Sequence, residues 1–196
     1  MSALLKITVA LDRIVSIFGR VAAWAIVPLV VVVIFDVISR RFFVVGSTEL
    51  QELEWHLHAV LFMFCLGYGY LREAHVRVDL LSTHFSDRVK LWIELLGSLL
   101  FLIPFCAVVI YFGATLTYGS LLDEETSASA TGLTHRWIIR SVIPLGMLVL
   151  LLSAMSSILK SVAALSGVAV DRRLTRAGRE TDVIVTSPLA KGLGKE

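Results

Sequence analysis

Residues 75–81 of this 196-residue chain read HVRVDLL, which sets His75, Arg77 and Asp79 in alternation with apolar residues. A second group of reactive types lies inside long apolar runs: Asp36, His56, His58, Glu94 and Arg140. Charge in hydrocarbon costs several kcal/mol, so such residues are candidates for proton relay, ion coordination or axial ligation of a haem. Their spacing limits each option. Asp36 stands one helical turn before Arg40, Glu94 follows Lys90 by four residues, and Arg140 lies one turn inside the end of its run. Each therefore has an interfacial explanation, as a same-face pair or a snorkelling side chain.

His56 and His58 point about 200° apart on a helix, so they cannot share one pocket. No histidine in the third or fourth apolar run faces them as a second axial ligand. No carboxylate sits at mid-span, and Pro28, Pro104 and Pro144 are single kinks rather than a matched pair of broken segments around a midplane substrate site. A haem-type or other redox membrane subunit and a stand-alone proton-coupled carrier remain as alternatives. The residues indicate no catalytic group, cofactor or metal ligand. Cys65 and Cys106, each inside an apolar run, read as small core residues.

The elements that must position these groups are membrane helices. Hydrophobic residues make up 57% of the chain and charged ones 17%, with a mean hydropathy of +0.82, far from the soluble average. The net charge of +2 is scattered and forms no stripe for nucleic acid. Four stretches, 21–39, 53–71, 91–117 and 137–163, approach or exceed the roughly 20 helical residues that cross hydrocarbon. Trp24, Trp55, Trp92 and Trp137 stand near their N-terminal ends, alternating between the two interfaces.

Of the 18 Lys and Arg residues, 14 fall on the side of the N-terminus, the loop around residue 80 and the tail. The positive-inside rule then makes both termini cytoplasmic and HVRVDLL a cytoplasmic loop. Ahead of the first span, Leu4, Ile7, Leu11, Ile14 or Val15 and Phe18 recur at spacings of three and four, while Lys6, Arg13 and Arg20 recur every seven. That pattern predicts an amphipathic helix over 1–20 in the cytoplasmic headgroup layer. Residues 166–196 lose apolar periodicity and read as a mobile cytoplasmic tail. The expected fold is all-α: an integral membrane domain of four transmembrane helices over 21–165, preceded by the interfacial helix.

Between the first two spans, Thr48 and Gln51 fit a capping box, and Glu49 and Glu52 enter the first helical turn, where the dipole favours negative charge. The same acidic residues are within range of Arg40 or Arg41 across a short outer turn.

Three stretches in this order, DVISRRFFVVGSTELQELEWHL, GYGYLREAHVRVDLL and LTHRWIIRSVIPLGMLVLLL, resemble the small membrane subunit of tripartite ATP-independent periplasmic (TRAP) transporters, the DctQ-like proteins. The likeness covers about residues 20–165, and HVRVDLL is its most specific block. It implies a bacterial inner-membrane subunit without enzymatic activity, working with a large permease subunit and a periplasmic binding protein to import an organic acid with sodium. On that basis Arg40, Arg41, Glu49, Glu52, His75, Arg77, Asp79 and Trp137 are the expected contacts to the large subunit or to membrane lipids. HVRVDLL would then brace the cytoplasmic face, with its basic residues near lipid phosphates.

Overall fold

A computed structural model of the chain describes residues 3–43, 46–72, 86–129 and 131–165. HVRVDLL, with His75, Arg77 and Asp79, and the tail from 166 lie outside the described residues. The described chain is all-helical: α1 Ala3–Ala23, α2 Ile26–Ile38, α3 Thr48–Arg72, α4 Asp87–Gly97, α5 Ile103–Leu122 and α6 Trp137–Leu165. Among these residues three helical runs are long and apolar enough to cross a membrane, Lys6–Phe43, Arg88–Leu122 and Trp137–Leu165. The fourth long helix, α3, has 25 residues, but Glu49, Glu52, Glu54, His56 and His58 occupy its first three turns.

Prolines shape two of the runs. Pro28 has no N–H to offer the Trp24 carbonyl, so Val27 takes that carbonyl at 3.1 Å in a tighter i−3 bond and the helix resumes at once. Here α1 passes into α2 with only a tightened turn. Ahead of Pro104 the helix instead widens into a π turn over Ser98–Leu102, which joins α4 to α5. A second π turn, Ser39–Phe43, ends α2.

Helix α6 is the hub. Of its most apolar window 44% is buried, against 11% in each of the other two runs. Gly146 faces Met63 and Gly67 faces Val149 and Leu150. Residue numbers rise together along both helices, so α3 and α6 run parallel. A Cβ on Gly67 would meet the Leu150 nitrogen at 2.9 Å, and one on Gly146 would meet Met63 Cβ at 2.7 Å. Close backbone approach is how helices pack where lipid supplies no hydrophobic drive. Met63, Cys106, Val142, Met147 and Leu150 form the apolar core around this crossing.

Helix α1 runs antiparallel along α3 and α6. Phe18 stacks on Phe64 with ring centroids 5.8 Å apart, and Cys65 Sγ donates to the Gly19 carbonyl at 3.7 Å. Its buried side is Thr8, Val15, Gly19 and Ala22, small residues that admit neighbouring helices. Ile7, Ile14 and Phe18, from the apolar series expected to form one face, are exposed, and so is Ile17 beside them.

Candidate functional site

Polar side chains gather in two layers, one at each end of the bundle. In the layer nearer the C-terminal end of α6, consecutive serines serve two helices. Ser156 Oγ donates to Asp12 Oδ1 of α1 at 2.5 Å, and Ser157 Oγ donates to Glu94 of α4. Lys160, one turn further, donates to Asp12 Oδ2 at 2.5 Å and is 8% exposed. Tyr70 of α3 shares a hydrogen bond of 2.9 Å with Ser98 in the π turn. The layer therefore ties α1, α4 and the α4–α5 junction to α3 and α6. Pairing inside the bundle is what makes these buried polar groups tolerable there.

The opposite layer is built by the connection between α5 and α6. Arg136 N–H bonds the Glu125 carbonyl at 3.1 Å and Ser127 N–H bonds the Leu133 carbonyl at 3.2 Å, closing the connection into a narrow loop. Glu124 and His135, with φ of 46° and 63°, make its two sharp corners. Arg140 grips the Glu125 carboxylate with both guanidinium ends, at 2.5 and 2.6 Å. This forked geometry is the strongest form of the pair. Glu52 holds the loop to α3: it accepts from Ser127 Oγ and, at 2.6 Å, from Leu133 N–H. Those two donors, the hydroxyl first, keep its carboxyl below the usual glutamate range; Arg136 and His56 add to the effect, and partial burial opposes it. Thr131 also reaches Thr48, at 3.4 Å.

The cap of α3 lies one residue earlier than the capping-box pattern implies. Ser47 Oγ, rather than Thr48, accepts from a first-turn amide, Leu50 N–H, at 3.3 Å. Arg40 pairs with Asp36 on its own helix. Among the described residues no ion pair joins Arg40 or Arg41 to Glu49 or Glu52. Arg41 and Glu49 are exposed, and Trp137 is half-buried at the start of α6. Of the candidate contact residues, then, Glu52 is drawn into the loop clasp and Arg40 into a local pair, while Arg41 and Glu49 face outward.

Sequence reasoning passed over the clasp partners Ser127 and Leu133, and over Asp12, Ser156, Ser157 and Lys160 as a group. The second set had a signal: Ser153, Ser156, Ser157, Lys160 and Ser161 recur at helical spacing down one side of an apolar helix. All five are buried. Among the described residues no group of three His, Cys, Asp or Glu could hold a metal ion. His56 is turned to the Glu52 carbonyl at 2.5 Å, and His58 is exposed.

The arrangement is one of mechanical joints between helices. Comparison with protein families gives a match over residues 29–164 to the family described as tripartite ATP-independent periplasmic transporters, DctQ component. A comparison with curated proteins gives no match.

Proposed function

The chain belongs to the DctQ component of tripartite ATP-independent periplasmic transporters, a transporter component rather than an enzyme, and on that premise we propose that it is the small scaffold subunit of an organic acid importer driven by sodium. Its partners are a large permease subunit, which carries the substrate site, and a periplasmic binding protein. The observation that most supports a scaffold role is the use made of charge. Asp12, Asp36, Glu52, Glu94 and Glu125 each engage a partner within the chain. The long faces of α2 and α5 are meanwhile exposed and apolar, with Val31, Ile34, Phe35, Phe105, Val108 and Phe112 among them. A bundle locked internally and greasy outside is suited to stiffen a larger membrane partner.

In this reading all four long helices span the bacterial inner membrane with both termini cytoplasmic. The start of α3 with Glu49 and Glu52 stands outside the hydrocarbon, which its run 53–71 crosses. The run Lys6–Phe43 has 38 residues, about 57 Å of helix at the α-helical rise. That is nearly twice the roughly 30 Å hydrocarbon thickness. The N-terminal part of α1 therefore emerges into the cytoplasmic headgroup layer, where exposed Lys6 and Arg13 find phosphates.

Reconstitution tests the function. Uptake of an organic acid on a sodium gradient should require the small subunit, the large subunit and the binding protein together. Flux through vesicles holding this chain alone would overturn the scaffold reading.

A further inference from the structure

We propose that α2 and α3 hold between them a binding site for one small alkali-metal ion, sodium, built on the carboxylates of Asp36 and Glu54. The site goes beyond the scaffold role, because it gives this chain a ligand of its own. Asp36 is 0% exposed. Its Oδ2 takes the Arg40 guanidinium, but its Oδ1 is buried without a hydrogen-bond partner, and so is Glu54 Oε1. Among the described residues these are the only carboxylate oxygens so placed. Shutting a charged oxygen away from water without a partner costs more than burying a neutral group.

The two oxygens belong to facing surfaces. Between residues 25 and 39 the positions that are not exposed are Ala25, Leu29, Val32, Asp36 and Ser39. Spacings of four and three draw these into a single seam, and the helix packed along α2 is α3. On α3, Glu54 lies within about 35° of the mean direction of Phe64, Cys65 and Tyr68, which meet α1. It lies roughly 160° from Met63 and Gly67, which meet α6.

Their heights agree as well. Gly19 of α1 lies against Cys65 and Tyr68. Asp36 is 17 residues beyond Gly19, roughly 25 Å of helix, and Glu54 is 11–14 residues back from Cys65 and Tyr68, roughly 17–21 Å. Each side chain leans toward the N-terminus of its own helix. In this antiparallel pair the lean carries Asp36 back toward Gly19 and Glu54 out toward the α2–α3 turn, which closes the difference.

Charge selects the ligand. Asp36, Glu54 and Arg40 together carry one negative charge. The other charged groups at this end of α3 are taken or turned outward: the loop holds Glu52, His56 is turned to the Glu52 carbonyl, and Arg41, Glu49 and His58 are exposed. One monovalent cation balances the trio, whereas a water molecule leaves its charge in place and a divalent ion reverses it. Hard cations take oxygen ligands, and the Ser39 side chain follows Asp36 on the same seam. The π turn Ser39–Phe43 begins there, and such turns recur at functional sites.

The test uses the full chain purified alone in detergent, so that no large subunit brings sodium sites of its own. Radioactive sodium should bind in stoichiometric amount. The unfolding midpoint should rise when sodium chloride replaces choline chloride at equal ionic strength and pH. Glu54→Gln keeps the side-chain shape, and its amide N–H can serve Asp36 Oδ1 in place of the ion, so the bundle should fold. Bound sodium should drop by about ten-fold or more in that variant, because ligand charge sets affinity, and its midpoint should no longer respond. Glu49→Gln, which removes an exposed carboxylate at the same end of α3, should bind as wild type does. Equal binding in wild type and Glu54→Gln would overturn the proposal. So would a wild type that takes up no sodium, including one whose midpoint answers to pH alone, since a proton would then join the two carboxylates. None of these outcomes turns on the transporter reading, whose own test is uptake by the three proteins together.

Discussion

Lys160 and Asp12, 148 positions apart in sequence, meet at 2.5 Å between α6 and α1. Their side chains are 10% and 27% exposed, so the pair sits where water screens it little. Removing one member strands the other. Lys160→Met or Asp12→Leu alone should lower stability by about 2–3 kcal/mol, below the fully buried range because Asp12 is partly exposed. The double substitution should recover most of that loss, since two apolar side chains can pack where the pair stood. Unfolding midpoints of the four proteins in one detergent check this, and additive losses in the double variant would contradict it.

Gly67 makes a second, purely steric prediction. Its missing Cβ leaves room for the backbone of α6 at Leu150, 2.9 Å away, and backbone cannot rotate aside. Gly67→Val should cost about 3 kcal/mol or more, the upper end of overpacking, and much of the expressed protein should be lost. Gly97, with nothing within 4 Å of its Cβ position, is the control. Gly97→Ala should be neutral or stabilising by up to about 1 kcal/mol, from helix propensity. Expression and unfolding midpoint of both variants are the measurements.

The contrast between these glycines shows which parts of the molecule were legible in the sequence. Long apolar runs announce helices because each must satisfy its own backbone in lipid; α6 follows its run closely, while the run 91–117 is shared by α4, the π turn and α5. The pair of Asp36 with Arg40 is local, one turn apart, and could be read directly. The clasp of Glu52 on Ser127 and Leu133 joins residues 75 and 81 positions apart, and nothing in local spacing encodes it. For α1 the periodicity was visible but the buried face was not. Large apolar side chains suggest burial in a soluble protein, whereas here small residues such as Gly19 and Ala22 meet the bundle and Ile14 and Ile17 are left outside.

Glu52 gives the pH dependence. Its carboxyl is held below the usual glutamate range when the loop is docked. Folding therefore favours the ionised form, and the contribution is fully present above the unfolded value of about 4.3. It is lost as pH falls through the lower folded value. Docking should thus be unchanged between neutral pH and pH about 5 and weaken only in stronger acid. Glu52→Ala should release the loop at every pH. Amide hydrogen exchange over residues 127–133, corrected for the intrinsic rate at each pH, reports it. Protection of Leu133 N–H that survives Glu52→Ala would rule the clasp out.

Orientation follows from the distribution of basic residues. With 14 of 18 Lys and Arg on one side, reporter fusions after residue 45 and near residue 127 should be external, and those near 85 and 175 cytoplasmic. That result would put the docked loop on the periplasmic side and the layer around Lys160 on the cytoplasmic side. An inverted pattern would move HVRVDLL to the wrong side for a cytoplasmic brace.

The last prediction concerns that segment itself. If residues 75–81 brace the large subunit, Arg77→Glu replaces an attractive contact to a carboxylate or lipid phosphate with repulsion, a swing of up to a few kcal/mol where the site is partly desolvated. Topology should hold, because Arg72, Arg88 and Lys90 still mark the loop as internal. The tie of α4 to α6 should hold as well, since the Ser157 bond to Glu94 lies beyond the segment. Retention of the large subunit on the tagged small subunit should fall, and uptake in the same membranes should fall with it. Unchanged retention and uptake, both in Arg77→Glu and in the double variant Arg77→Ala with Asp79→Ala, would make the segment an ordinary solvated loop and leave the polar layers and α1 to carry the scaffold role.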